Sequence, residues 1–236
     1  MANNTKSTKH TIVNGSVAQQ VTSIISKQII DGKYSEGDFL PTEEELCEEF
    51  GIGRSSVREA IKTLESRGMV RKLQGKGVIV VDETIVATSQ MLRIAFEYKK
   101  VSFKDLAEFR VSMEIKLAGL AAQNATSDDL REIKENLEQM KSKKISPKNF
   151  AAIDYKFHES IAQASGNNVS VLILRSLYPI IYDQITHTIA RENSLERTYE
   201  LHEKIYNAIE AKSSRDAEAA MSNHLRETLR LIDNIE

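Results

Sequence analysis

From about residue 84 to the C-terminus, every long segment of this chain carries its apolar residues at helical spacing. Segments near 84–97, 103–124, 128–143, 147–165, 169–191, 194–212 and 214–235 read as helices, with breaks at Gly166-Asn167-Asn168 and Ser213-Ser214. Ser102-x-x-Asp105 and Ser127-Asp128-Asp129 hold the residue types that cap helix N-termini. Three Pro and ten Gly in 236 residues leave little material for a turn-rich all-β architecture. Helices with one apolar stripe each must bury those stripes against one another, so residues 101–236 are expected to form an all-α bundle.

The first 82 residues follow a different pattern: helix, helix, helix, hairpin. Val17, Val21, Ile24, Ile25 and Ile29 mark a helix that ends near Gly32. Thr42 as N-cap with Glu45 three residues on forms a capping box for a short second helix, which closes at Phe50-Gly51. After the tight Gly51-Ile52-Gly53 turn, Val57, Ala60, Ile61 and Leu64 mark a third helix, stopped by Gly68. Two β-rich runs, 69–73 and 78–81, then flank Gln74-Gly75-Lys76-Gly77. The expected layout is a disordered tail at 1–14, a winged helix-turn-helix at 15–82, a linker helix at 83–100 and the bundle beyond. The fold class is mainly α.

Charge is segregated within that first domain. Residues 31–50 carry one base against eight acids, a net of −7, whereas residues 51–81 carry seven bases against two acids, a net of +5. In a chain whose overall charge is only −2, this asymmetry suits one surface built for a polyanion. A charged, solvated helix face is the plainer reading of the same run. A single cysteine, Cys47, excludes an internal disulfide framework and a cysteine-based zinc finger, and fits a reducing, cytoplasmic home. No apolar run approaches the roughly 18–20 residues of a membrane span, and the polar N-terminus lacks a signal peptide's apolar core.

Two short helices joined by a glycine-containing turn place the second helix in a DNA major groove. Arg54-Ser55-Ser56-Val57-Arg58 puts basic and small polar residues where that helix would enter. Arginine can take guanine O6 and N7 with two hydrogen bonds or clamp a phosphate, and serine can donate to either. Lys62, further along the same face, is expected at the backbone. The Gly75-Lys76-Gly77 tip can pass close to a phosphate, with Lys76 reaching toward a groove.

Four histidines lie outside the tail residue His10: His158, His187, His202 and His224. Asp154 and His158, four apart on one helix, project from nearly the same face, a common way to present two metal ligands. His202 and His224 would be about 33 Å apart on a straight helix, and can share an ion only if the chain folds back at Ser213-Ser214. By spacing alone each histidine fits a surface or core position equally well. There is no H-E-x-x-H pair.

Residues 17–81 resemble the winged helix-turn-helix of GntR-family transcription regulators. The resemblance is carried by Leu40-Pro41-Thr42-Glu43, by Gly51 through Ala60, by Leu64-Glu65-x-x-Gly68 and by Gly75-Lys76-Gly77. It implies that Arg54 and Arg58 contact DNA and that Gly75–Gly77 form a minor-groove wing tip. Two positions depart from the pattern: Glu44 stands where members commonly carry arginine, and Gly53 where they carry a Ser or Thr cap. Residues ~101–233 resemble the FCD effector-binding domain of the FadR-type branch. The pieces are Leu106-x-x-Phe109-Arg110-x-x-x-Glu114, Asp154-x-x-Phe157-His158, His202-x-x-Ile205 and Ala217-x-x-Ala220-Met221-x-x-His224. The resemblance implies that Asp154, His158, His202 and His224 hold a divalent cation. A carboxylate with three imidazoles suits Zn²⁺, Ni²⁺ or Mn²⁺. Arg110 resembles an effector-contacting arginine, with a helix-surface Arg110–Glu114 pair as its alternative. Asn167, Arg175 and Tyr178 are further pocket candidates, and His187 matches no motif.

The expected function is a repressor that binds a palindromic operator on double-stranded DNA as a homodimer and releases it under control of a small organic acid. Two other readings are a metal-dependent hydrolase with a nucleic-acid-binding module, and a metal-free regulator with an apolar pocket for a fatty-acyl ligand.

Overall fold

The structure, a computed structural model, describes residues 15–141, 145–192 and 195–233, without the side chains of 147, 183–192, 228 and 231–233. The expected tail, His10 and the His187 side chain lie outside the described residues. The order is α1 (Val17–Ile30), α2 (Glu43–Phe50), α3 (Arg54–Ser66), β1 (Val70–Leu73), β2 (Gly77–Val80), α4 (Thr84–Lys99), α5 (Phe103–Asn124), α6 (Ser127–Gln139), α7 (Pro147–Ala164), α8 (Asn168–Glu192), α9 (Leu195–Glu210) and α10 (Ser214–Asp233). Two compact units divide between Thr88 and Ser89, inside α4.

In the N-terminal unit, α1, α2 and α3 close over Val21, Ile25, Leu46, Val57, Ile61 and Leu64, with Val70, Val78 and Val80 from the hairpin in the same core. Thr42 and Glu45 form the capping box that starts α2, and Gly51 ends it in the left-handed region at φ 65°. Gly68 has no substitute. Its φ is +71°, and a Cβ there would collide with the Glu83 carbonyl, where Gly68 also accepts the Glu83 N–H at 2.8 Å. The antiparallel hairpin pairs Val70 with Val80 and Leu73 with Gly77. A further edge lies beyond the two expected runs: Phe39 bridges Ile79, and Leu40 N–H donates to the Val78 carbonyl at 2.9 Å. Glu36-Gly37-Asp38-Phe39-Leu40 has no strand-like composition; the exposed edge of β2 imposes the pairing.

Among the described residues, the regular structure of the C-terminal unit is all helical. Its main core joins Ala118 and Ala121 of α5, Ile133 of α6, Phe150, Phe157 and Ile161 of α7, Ile205 and Ile209 of α9 and Met221 of α10. A second cluster gathers Leu106, Ala151, Leu177 and Ile180 with Leu92 and Phe96 of α4, and Arg93 donates to the Pro179 carbonyl at 2.9 Å. Helix α8 runs unbroken through Pro179. Ser102 and Asp105 cap α5 as expected. The cap of α6 is Thr126, not Ser127: the Thr126 hydroxyl accepts from Asp129 N–H at 3.2 Å while Asp129 accepts from Thr126 N–H at 2.8 Å. With Asp129 as the reciprocal partner, only a cap three residues before it closes the box.

The turn between α9 and α10 brings distant residues together. Ser213 N–H reaches the Ala208 carbonyl at 3.0 Å and Lys212 N–H the Ile209 carbonyl at 2.9 Å, with Lys212 left-handed at φ 55°. This is a Schellman termination with lysine where glycine usually sits.

Candidate functional site

Helices α7, α9 and α10 converge on one buried cluster. Asp154 and His158 on α7, His202 on α9 and His224 on α10 each offer one ligand atom, all within 4.8 Å of one another. His158 Nε2 lies 3.2 Å from His224 Nε2 and 3.3 Å from His202 Nε2. Asp154 Oδ1 is 3.1 Å from His202 Nε2 and 3.9 Å from His158 Nε2. The His202 and His224 rings, 22 positions apart in sequence, stand 4.3 Å apart between centroids. Phe157 meets the His202 ring edge-on at 4.7 Å and supports it.

The outer nitrogens explain why this arrangement suits a cation. His202 Nδ1 lies 2.7 Å from the Thr198 carbonyl, which can only accept, so that nitrogen carries the ring proton. His158 Nδ1 lies 2.5 Å from Glu114 Oε2, close but not aligned as a hydrogen bond. A carboxylate that near draws the ring proton to Nδ1. The Nε2 atoms of both rings face each other at 3.3 Å, and with the ring protons on the outer nitrogens they would offer two lone pairs to one cation. Metal–ligand bonds of about 2.0–2.2 Å place neighbouring ligand atoms roughly 3.0–3.5 Å apart, the range of three of the four spacings. The donor set and its spacing fit a divalent ion.

Helix α5 supplies the outer layer. Glu114 stands between His158 and Arg110, whose Nε donates to Glu114 Oε1 at 2.5 Å. All of these side chains are buried, with Arg110 7% and Glu114 2% exposed. Burial would raise the Glu114 carboxyl, but the Arg110 guanidinium and His158 outweigh it and bring it down to about 2. Burial opposes ionisation of Asp154 too; His158 and the contact with His202 hold it at about 2. Burial, with His202 and His158 nearby, pushes His224 well below the usual imidazole value, so it stays neutral as a ligand must.

The pocket candidates divide. Arg110 is beside the cluster, and its pairing with Glu114 is buried rather than on the helix surface. Tyr178 is half-buried and donates to the Ala151 carbonyl at 2.5 Å. Burial, and next the Asp154 carboxylate, raise its hydroxyl above the usual value, which sets it near the cluster. Arg175 pairs with Glu159. Asn167 is exposed, and its Oδ1 accepts from Ser170 N–H at 3.2 Å at the start of α8. That capping role, not a pocket, is where the structure puts it. Glu203 is hydrogen-bonded by the Tyr199 hydroxyl at 3.2 Å, so both acids that follow a histidine ligand have partners outside the cluster.

On the N-terminal unit, Arg54, Ser55, Arg58, Lys62, Gly75, Lys76 and Gly77 are exposed and Ser56 is half-buried. Gly53 leaves α3 without a side-chain cap. The arginines are not free. Arg54 Nη2 meets Glu44 Oε1 at 3.2 Å, and Arg58 Nε meets Glu43 Oε2 at 2.7 Å. Glu43 also holds Lys72 at 3.3 Å, and the bond from Arg58 lowers its carboxyl. Sequence reasoning did not assign Glu114 or Glu43 to a site. The signal for Glu114 was its place four residues after Arg110; Glu43 gave none beyond its position at a helix start.

Residues 105–227 match the profile described as FCD domain, and residues 17–80 match that of bacterial regulatory proteins, gntR family. The chain is 34% identical to the HTH-type transcriptional regulator LutR of Bacillus subtilis over 84% of its own length and 92% of the relative's. It is 30% identical to the Glc operon transcriptional activator of Escherichia coli, over 93% and 90%. Among solved structures, Streptococcus agalactiae GntR superposes with a TM-score of 0.74 at 27% identity, covering 91% of this chain and 99% of that one.

Proposed function

Because this chain belongs to the GntR family and is a DNA-binding transcription regulator with an FCD domain rather than an enzyme, we propose that a small carboxylate, docking at a divalent ion held by Asp154, His158, His202 and His224, controls its hold on DNA. The observation that carries this reading is the buried cluster itself, with its Nε2 atoms turned inward. The ion, Zn²⁺, Ni²⁺ or Mn²⁺, supplies a fixed positive charge to which a carboxylate oxygen can bind. Charge balance supports an anionic effector. Arg110 offsets one of the two buried carboxylates, Asp154 and Glu114, leaving a net of −1 with neutral imidazoles. A divalent ion makes that +1, and one carboxylate brings it to zero. Buried net charge is costly, so the neutral combination is favoured. Arg110 retains donors beyond the Nε bound by Glu114, and with Tyr178 it is the contact proposed for the effector; Arg175 is paired with Glu159. The same buried charges disfavour a fatty-acyl pocket.

Arg54, Ser55, Ser56, Arg58 and Lys62 enter the major groove, and Gly75, Lys76 and Gly77 approach the backbone as a wing. A homodimer presents two recognition helices to palindromic half-sites about 34 Å apart. The regulator works in the cytoplasm as a repressor, since occupancy of an operator needs no surface beyond those described. Effector and DNA are coupled through two arrangements of the protein that each ligand favours differently.

A mobility-shift titration with metal analysis tests the division of roles. Arg54→Ala and Arg58→Ala should each weaken operator binding by roughly 5- to 150-fold and retain one ion per chain. His202→Ala and Asp154→Asn should lose the ion and the response to carboxylates yet still shift DNA. Equal behaviour of the two sets refutes the reading.

A further inference from the structure

Four bases are already paired with carboxylates of α2: Glu44 holds Arg54, Glu43 holds both Arg58 and Lys72, and Glu49 meets Lys33. Helix α2 carries Glu43, Glu44, Glu45, Glu48 and Glu49 and no base, so nothing on its own helix offsets Glu44. Among the described residues, Lys62, Arg67 and Lys76 form no ion pair, and all three are exposed. The polyanion-facing surface is thus of two kinds: bases that keep their full charge, and arginines that share theirs with a carboxylate.

We infer that Glu44 is a specificity-determining residue: its ion pair with Arg54, made through Nη2, offsets part of that arginine's attraction for phosphate and leaves the other donors of its fork available, which makes Arg54 a reader of base edges instead of a phosphate clamp. Attraction to phosphate depends on net charge and is the same for every sequence. A hydrogen bond to guanine O6 or N7 depends on an aligned donor, which a guanidinium paired through one nitrogen still has. The Glu44 carboxylate also repels any phosphate that approaches Arg54, so the contact is retained only where a base edge offers acceptors. Sequence-independent affinity then falls to Lys62, Arg67 and Lys76. Glu43 does not share this role, because it ties α3 to β1 through Arg58 and Lys72 and is only 24% exposed in its side chain.

This inference rests on the proposed docking of α3 in the major groove, and the experiment separates the two. The full chain is used to select from a duplex library randomised over 20 base pairs, alongside Glu44→Gln, Arg54→Ala and Lys62→Gln. Binding to random-sequence duplex is measured between 50 and 200 mM salt. The wild type should enrich a palindromic motif in which Arg54→Ala erases the preference at one base pair per half-site. A two-bonded arginine–guanine contact discriminates by roughly 5- to 150-fold, and Glu44→Gln should weaken that preference at least several-fold. Glu44→Gln should also tighten binding to random duplex and steepen its salt slope by about 0.9, the increment for one added phosphate contact. Lys62→Gln should do the reverse: a shallower slope and an unchanged motif. Glu44 is 74% exposed in its side chain, so the variant keeps its fold, and matching thermal unfolding verifies this. An unchanged motif and slope in Glu44→Gln overturn the inference, as does a uniform affinity loss in Arg54→Ala. A wild type that enriches no motif overturns the groove docking itself, a separate result.

Discussion

Replacing Glu114 by glutamine keeps its size and removes one charge from the layer behind the metal cluster. Arg110, 7% exposed with Nε 2.5 Å from Glu114, cannot shed its proton and would keep a buried charge without its first partner. Removing one member of a buried pair costs about 3–5 kcal/mol. Asp154 also acts favourably on Arg110, which puts the expectation at the low end, about 3 kcal/mol. At roughly 2–4 °C per kcal/mol for a unit of this size, Tm should fall by about 6–12 °C. His158 would lose the carboxylate at Nδ1, and such partners set metal affinity by about 10–100-fold. Urea unfolding of the metal-free chain by circular dichroism gives the first quantity, and zinc competition with a chromophoric chelator the second. Arg110→Met alone strands Glu114, so the double variant should cost less than the two singles together by about 1–3 kcal/mol. A Glu114→Gln protein within about 0.5 kcal/mol of wild type, with unaltered zinc affinity, would refute the account of this layer.

Acid should weaken the metal-free protein in a defined window. Glu114 and Asp154 titrate at about 2 in the folded chain, below the ordinary 4.5 and 3.8. The unfolded chain therefore binds more protons at intermediate pH, and the stabilisation is complete above about pH 5 and lost as pH falls toward 2. Urea midpoints at pH 7, 5 and 3.5 would show it, and Glu114→Gln should flatten the decline; equal midpoints at all three refute the assignment. Lys212→Gly should stabilise the chain by roughly 0.5–1 kcal/mol, since Lys212 sits at φ 55° where a Cβ is strained. Unchanged or lower stability would mean that the lysine side chain contributes more than its backbone costs.

Local patterns predicted the elements well where one residue type had one physical use. The capping boxes at Thr42–Glu45 and Ser102–Asp105 are observed as read, because a reciprocal side-chain bond needs only four residues. The α6 cap moved by one position, since three consecutive residues there can each cap and only the partner's spacing selects one. The Phe39–Ile79 bridge was not legible, because the neighbouring strand, not the segment's composition, creates it. Glu114 was legible only as an i,i+4 partner of Arg110; its burial depends on α7 lying across α5, which no local pattern states.

The order and spacing of residues alone determined the helices, the hairpin, the charge contrast around α3 and the four ligand types. These are short-range matters of periodicity, capping and composition. Only the folded chain decided that His202 and His224 meet across the Lys212 turn, that their Nε2 atoms face inward, and that Glu43 and Glu44 pair with the arginines of α3. Such outcomes depend on which surfaces pack together, and packing sums many weak contacts between residues far apart in sequence.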